Sequence, residues 1–167
     1  DDVRSSPAVA DLDKNNSLEL IIGSHDGSLH IISGFGQQLA THQVNGSING
    51  SPAAVDLDQD GDLEVVFTSY NGSTGDVHAI HHNGSTFYGF PVYLNEKMVG
   101  GAAAGDLDGD GYPEIVVCTD DDNVYAIKKD GSIMSGFPFT STDRFYNAPT
   151  LVDLDGDSDL EIVVGNR

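Results

Sequence analysis

The stretch Asp106-Leu-Asp-Gly-Asp-Gly-Tyr-Pro-Glu114 decides the fold of this chain. It places carboxylates at positions 1, 3, 5 and 9 of a nine-residue phrase and a glycine at position 6. Alternating acidic residues can turn inward around one point, and Ca2+ takes six to eight oxygen ligands of this kind. The glycine permits the positive φ that such a tight loop needs. The stretch therefore predicts a metal-binding loop with Ca2+ as the expected ion.

The same phrase occurs four times along the chain. The other copies begin at Asp11, Asp56 and Asp153, so the first aspartates are 45, 50 and 47 residues apart. Recurrence at about 40–50 residues is typical of repeat architectures such as propellers. Chance acidic loops would not recur in register with the same flanks. We therefore expect four metal loops (loops 1–4) and up to four bound Ca2+.

Positions 1, 3, 5, 7 and 9 of each loop are the predicted metal ligands, position 7 through its backbone carbonyl. Loop 1 has asparagine at position 5 and hence one carboxylate fewer, which should weaken binding. Loop 4 has Ser158 in place of the position-6 glycine, so its backbone must strain or shift. The predicted ligands are Asp11, Asp13, Asn15, Ser17 and Glu19; Asp56, Asp58, Asp60, Asp62 and Glu64; Asp106, Asp108, Asp110, Tyr112 and Glu114; and Asp153, Asp155, Asp157, Asp159 and Glu161.

The same segments surround every loop. Small residues precede it, an apolar β-branched run follows it, and turn residues lead to a third and a weaker fourth segment, such as Phe137–Thr142. Short β-branched runs bounded by turns are strands, and four antiparallel strands per repeat are typical of a propeller blade. The sequence predicts an all-β propeller fold with three full blades, at residues 1–49, 50–99 and 100–146, and half of a fourth at 147–167. The second strands are expected at Leu18–Ile22, Leu63–Phe67, Ile115–Val117 and Leu160–Val164, buried on both faces.

The repeats resemble FG-GAP/VCBS-type blades, the calcium-binding propeller repeats of integrin α-subunit heads and of many secreted microbial proteins. The resemblance rests on the metal phrase followed by an apolar strand. Gly89-Phe-Pro91 and Gly136-Phe-Pro138 are similar to the blade-closing Gly-Phe-Pro of the microbial members. An EF-hand is excluded, because it requires glutamate at position 12, where Phe67 and Val117 stand in loops 2 and 3.

The amino-acid composition limits the classes of partner that the chain is expected to bind. With 27 acidic and 7 basic residues the formal charge is −20, and four Ca2+ would bring it to about −12. Such a chain should repel nucleic acid and anionic membranes, and no apolar run reaches the ~20 residues of a membrane span. Cys118, the single cysteine, is expected to be a buried structural thiol. His30 and His78 align with Tyr125 and are interpreted as one half-exposed strand position.

No catalytic constellation converges in the sequence, so we expect a non-enzymatic module at the cell surface or secreted outside the cell. Its expected role is structural, adhesive or in protein interaction. The alternatives are a lectin that binds glycans and a non-catalytic part of a polysaccharide-degrading enzyme. Asn-x-Ser/Thr sequons in predicted turns make four asparagines candidate glycosylation sites: Asn45, Asn49, Asn71 and Asn83.

The incomplete fourth blade affects how the chain is expected to assemble with other protein segments. The chain begins at Asp1 without a signal peptide and stops after two strands of the fourth repeat, so we expect a processed product or an excised piece. Its last strand would be an open apolar edge, which is a template for pairing. Other protein segments or copies of the chain itself are the expected partners. A four-bladed ring, a fragment of a larger propeller and an assembly of protomers all stay open.

Overall fold

The chain folds into successive antiparallel sheets of β-strands, as described for residues 2–166 by a computed structural model. Each sheet is a meander in chain order, three with four strands and one with two. The predicted all-β propeller fold is confirmed, with short inner strands and longer second strands. The outermost predicted blade limits, Asp1 and Arg167, lie outside the described residues. Within this part of the chain, no helix is long and apolar enough to span a membrane.

The sheets are numbered as blades 1–4 in chain order. Blade 1 contains β1 (Ala8–Ala10), β2 (Glu19–Gly23), β3 (Ser28–Ser33) and β4 (Gln38–Gln43). Blade 2 contains β5 (Ala53–Val55), β6 (Glu64–Tyr70), β7 (Gly75–Ile80) and β8 (Val92–Tyr93). Blade 3 contains β9 (Ala103–Gly105), β10 (Glu114–Cys118), β11 (Asn123–Ile127) and β12 (Phe139–Thr140). Blade 4 contains β13 (Thr150–Val152) and β14 (Glu161–Val163).

Each metal loop joins the first and second strands of its blade. In all four blades, the residue just before position 1 pairs with the position-9 glutamate; the pairs are Ala10↔Glu19, Val55↔Glu64, Gly105↔Glu114 and Val152↔Glu161. The loops therefore start and end on the same rung of the ladder. This identical closure explains why the nine-residue spacing is kept through the chain.

The core lies between blades. In β6, Val65 and Phe67 pack toward blade 1, whereas Val66 packs toward blade 3. A middle blade is therefore covered on both sides, and the predicted two-sided burial holds for β6 and β10. It does not hold for β2, where buried residues alternate with half-buried ones, or for β14, where Val163 is 45% exposed. Within residues 2–166 these blades lie at the two ends of the series, so each packs against a single neighbouring blade.

Inner strands adjoin in chain order, β1 with β5, β5 with β9 and β9 with β13. Their starts approach so closely that a Cβ on Gly50 would lie 2.4 Å from the Gly100 carbonyl oxygen, so only glycine fits there. Among residues 2–166, the buried clusters lie between blades 1 and 2, 2 and 3, and 3 and 4. These contacts join successive blades and do not favour the four-bladed ring.

The outer strands of blades 2 and 3 are only two residues long, and β12 is shorter than the predicted Phe137–Thr142. Pro91 and Pro138 directly precede these strands, and both Phe–Pro bonds are cis. Proline lacks the N–H needed for a ladder hydrogen bond, which limits these strands to the residues beyond it. Cys118 is buried, as predicted, and burial raises the pKa of its thiol to about 11.

His78 departs from the prediction of a half-exposed position. Its side chain is buried, stacks on Phe67 with ring centroids 4.9 Å apart, and places Nε2 2.9 Å from the Ser69 hydroxyl. The prediction is wrong for His78 because blade 1 covers this face of blade 2, while His30 and Tyr125 are half-buried. Burial lowers the pKa of His78 to about 4, with the nearby His42 adding to the effect.

This buried imidazole predicts acid sensitivity. Between pH 6.5 and 4 the unfolded chain binds a proton at His78 that the folded chain does not. The free energy of unfolding therefore decreases as the pH is lowered, and at pH 5 it is about 2 kcal/mol below its value at neutral pH. We expect His78→Gln to lose this part of the pH dependence in calcium-free guanidinium unfolding at pH 7.5 and 5. His30→Gln, at the aligned half-buried position, is the control. If the free energy of unfolding decreased equally from pH 7.5 to pH 5 in the wild type and in His78→Gln, the prediction would be contradicted.

Candidate metal centres

All four loops share one backbone shape, set by two left-handed residues. Position 6 has φ of +67° to +103° and position 4 has φ of +51° to +82°. Ser158 takes φ +81° at position 6 of loop 4, so the loop keeps its shape and the strain predicted from the sequence is borne at this serine. The demand at position 4 was missed by the sequence reading. Gly109 and Gly156 were its only signal.

Carboxylates at positions 1, 3 and 9 converge in each loop. One oxygen from each lies within 4.8 Å of the others. The four triads are Asp11, Asp13 and Glu19; Asp56, Asp58 and Glu64; Asp106, Asp108 and Glu114; and Asp153, Asp155 and Glu161. Among the described residues, the clusters of acidic, histidine and cysteine side chains spaced for a metal ion contain carboxylates only. The predicted convergence is thus present for three of the five ligand positions.

Backbone amides hold each triad in place. The position-9 glutamate accepts a hydrogen bond through Oε2 from the N–H of the position-2 leucine, at 2.7–3.0 Å. The position-1 aspartate accepts one through Oδ2 from the N–H of position 6, at 2.9–3.2 Å. These bonds orient the carboxylates before any ion binds.

The remaining carboxylate oxygens test whether a cation fits. Oδ1 of Asp11 and Oδ1 of Asp56 are buried without a hydrogen-bond partner, which is costly for a charged group. Glu19, Glu64 and Glu114 are almost fully buried, and burial raises the pKa of the Glu64 and Glu114 carboxyls. Buried, mutually repelling carboxylates need a positive charge nearby. The residues present therefore fit a bound cation.

Positions 5 and 7 are arranged differently from the triads. The side-chain oxygen of position 5 accepts the N–H of position 7 at 2.8–3.0 Å in every loop. Asp60, Asp110 and Asp157 lie outside the triads. This turn directs the chain back toward the second strand. The predicted roles of positions 5 and 7 as ligands stay predictions.

The position-2 leucines connect the loops to the core, a link that the sequence reading missed. Leu12, Leu57 and Leu107 pack into the clusters between blades 1 and 2, 2 and 3, and 3 and 4, respectively. Leu154, at the same position of loop 4, is 65% exposed, because no further blade packs against it within the described residues 2–166. Loops 1–3 are therefore held on one side by a leucine packed between blades and on the other by carboxylates bonded to backbone amides.

Basic side chains reach two of the loops from outside. Lys14 Nζ lies 3.8 Å from Asp56 Oδ2, His81 Nδ1 lies 3.1 Å from Glu64 Oε1, and Lys128 Nζ lies 2.5 Å from Asp108 Oδ2. The hydrogen bond from Lys128 lowers the pKa of Asp108. The sequence reading did not find these contacts. Their signal was positional, since His81 and Lys128 directly follow the third strands of their blades.

The family comparison agrees with this geometry. The FG-GAP-like repeat family matches residues 56–117 and 106–164, which together include loops 2, 3 and 4 and strands β6 to β14. The chain belongs to the FG-GAP-like repeat family. The match to two successive, overlapping segments reflects the repeat seen in the strands. No curated protein matches the sequence of this chain.

Solved structures share the fold at low sequence identity. The chain is similar to the Vibrio cholerae biofilm matrix protein Bap1 (20% identity, TM-score 0.68, 95% of this chain and 23% of that one). It is also similar to the Pseudomonas aeruginosa PilY1 C-terminal domain (14%, 0.70, 97% and 43%) and to BBS1N in complex with ARL6DN (13%, 0.69, 99% and 48%). This FG-GAP-like chain thus spans less than half the length of each of these solved chains.

Proposed function

We propose that this FG-GAP-like chain is an extracellular calcium-binding propeller module with a structural, adhesive or protein-interaction role. The carrying observation is the repeated triad, whose position-1 oxygens in loops 1 and 2 are buried and unpartnered. The donors are carboxylates without nitrogen or sulfur, a set that suits hard ions such as Ca2+. Bound calcium would offset most of the negative charge of the triad, while the loop residues orient its oxygens.

A calorimetric titration tests this proposal. We expect saturable Ca2+ binding approaching four ions per chain, at about 10⁻⁴–10⁻³ M as in extracellular modules. Asp56→Asn should remove one site, because it deletes a triad charge while keeping the side-chain shape. The exposed Asp143→Asn makes the same charge change outside the loops and serves as the control. A wild-type chain that binds no calcium at millimolar concentration would refute the proposal.

Location and partners are supported by the similar structures. Bap1 is a biofilm matrix protein, and BBS1N was crystallised with a protein partner. We extend from these a surface or secreted location and binding to proteins rather than catalysis. Sequons at Asn45, Asn71 and Asn83 are exposed and accessible for glycans. Asn49 is half-buried and its amide donates to the Ser47 hydroxyl, so it suits a glycan less well.

Self-association is expected from the last blade. β14 is bonded to β13 on one side, and its other edge has no strand beside it within residues 2–166. Side chains of Val124, Phe137, Phe139, Ile162 and Val164 line an apolar groove of about 400 Å³ next to this edge. Open apolar edges pair with other chains. We expect multi-angle light scattering in millimolar Ca2+ to show species larger than a monomer, and a monomer at all micromolar concentrations would contradict this.

A further inference from the structure

Lys128 places an ammonium group inside loop 3. Its Nζ lies 2.5 Å from Asp108 Oδ2, 3.6 Å from Asp110 Oδ2 and 3.8 Å from Glu114 Oε1. Asp108 and Glu114 belong to the triad that is completed by Asp106. The ammonium therefore lies where the negative charge of this loop is concentrated.

Strand register brings Lys128 to this position. β10 and β11 pair Ile115 with Ile127, so Glu114 at the start of β10 faces Lys128, which directly follows β11. The corresponding residue of blade 1 is Ser33, which pairs with Glu19 and carries no charge. Among the described blades that have a third strand, loop 3 is thus the one with a lysine opposite its glutamate.

We propose that Lys128 is a tethered counter-ion that competes with calcium for loop 3 and lowers the affinity of that loop. The inference rests on the proposed calcium binding. Ca2+ binds oxygen ligands at about 2.3–2.6 Å, and the ammonium already lies 2.5 Å from Asp108 Oδ2. Like charges that share one oxygen repel each other strongly. Calcium binding therefore requires Lys128 to leave its carboxylates, and the lost ion pairs weaken the net binding.

Loop 3 carries its own reporter. Tyr112 stands at position 7, and it is the single tyrosine in the four nine-residue loops. Tyrosine sensitises the luminescence of Tb3+, an oxygen-seeking ion that substitutes for Ca2+. Titration with Tb3+, followed by displacement of Tb3+ by Ca2+, therefore gives the Kd of loop 3 for each ion through this luminescence, separately from the other loops. Tyr112→Phe identifies the loop 3 signal, which it should abolish.

Lys128→Met removes the charge and keeps the aliphatic stem. Lys129→Met makes the same change in net charge one residue away, where the ammonium lies 3.0 Å from the centroid of the Tyr112 ring. We expect the calcium Kd of loop 3 to fall about five- to tenfold in Lys128→Met. It should stay near the wild-type value in Lys129→Met. Intensities are not compared, because Lys129 touches the reporter. Displacement midpoints are first converted to calcium Kd values with the Tb3+ Kd of the same variant, because Lys128 competes with both ions.

The outcomes separate this inference from calcium binding itself. Equal calcium Kd values in wild type, Lys128→Met and Lys129→Met would overturn the counter-ion role while leaving the calcium module intact. Absence of sensitised terbium and of calcium displacement in every folded variant would overturn both. Lys128→Gln, checked by circular dichroism, replaces the methionine variant should that one misfold. A rise in affinity shared by both lysine variants would show a general charge effect and would also overturn the specific role.

Discussion

Removing calcium with EGTA is expected to lower the melting temperature of the loaded protein by about 10–20 °C. With roughly millimolar Ca2+ and a Kd near 10⁻⁴ M, each site stabilises the folded chain by about 1.4 kcal/mol. Four sites then contribute about 6 kcal/mol, and each kcal/mol shifts the melting temperature of a domain of this size by about 2–4 °C. The three carboxylates within each triad, such as Asp56, Asp58 and the buried Glu64, would also be left to repel one another. Differential scanning calorimetry measures the shift.

The matched control replaces calcium and EGTA with sodium chloride of equal ionic strength. Salt screens exposed charges without coordinating the triads, so it should recover only a small part of the loss. Readdition of Ca2+ should restore the original transition. A melting temperature that does not change with EGTA would show that the loops are rigid without an ion, and the structural role of calcium would be abandoned.

Leu57→Ala is expected to destabilise the protein by about 3 kcal/mol. Leu57 is fully buried between blades 2 and 3, and removing three carbons there leaves a cavity between two packed sheets. Its backbone N–H still donates to Glu64, so the triad of loop 2 should keep its hydrogen bonds. Guanidinium unfolding in saturating Ca2+ measures the loss in the free energy of unfolding.

Leu154→Ala is the matched control within the same motif. Leu154 holds the equivalent place in loop 4, also donates its N–H to the position-9 glutamate, and is 65% exposed. Exposed substitutions of this type change stability by about 0.5 kcal/mol or less. Equal losses for the two variants would mean that the position-2 leucine acts through the loop itself. The packing of Leu57 into the interface between blades would then not be the cause.

The repeat and the metal loops were predictable because their information is local. Asp106, Asp108 and Glu114 lie within nine residues, and a turn of this length brings them together wherever the loop is placed. Gly111 at position 6 indicated that this position has a positive φ, and Ser158 at the same position of loop 4 indicated backbone strain there. The positive φ at position 4 was not predicted, because this position holds glycine only in loops 3 and 4. Loops 1 and 2 have Lys14 and Gln59 there, and neither residue type indicates a left-handed backbone.

By itself, the sequence determined the blades, their order and the four carboxylate triads, since strand pairing within a blade and the turn of a loop depend on neighbours along the chain. The tertiary structure decided which residues at equivalent positions of the repeats differ in burial and in charge pairing. Leu57 is buried and Leu154 exposed because blade 3 covers the first and no blade covers the second. Lys128 reaches Glu114 through strand register, and His78 loses its solvent to blade 1. Burial and charge pairing depend on what packs against a residue, and that neighbour is often far away in the chain.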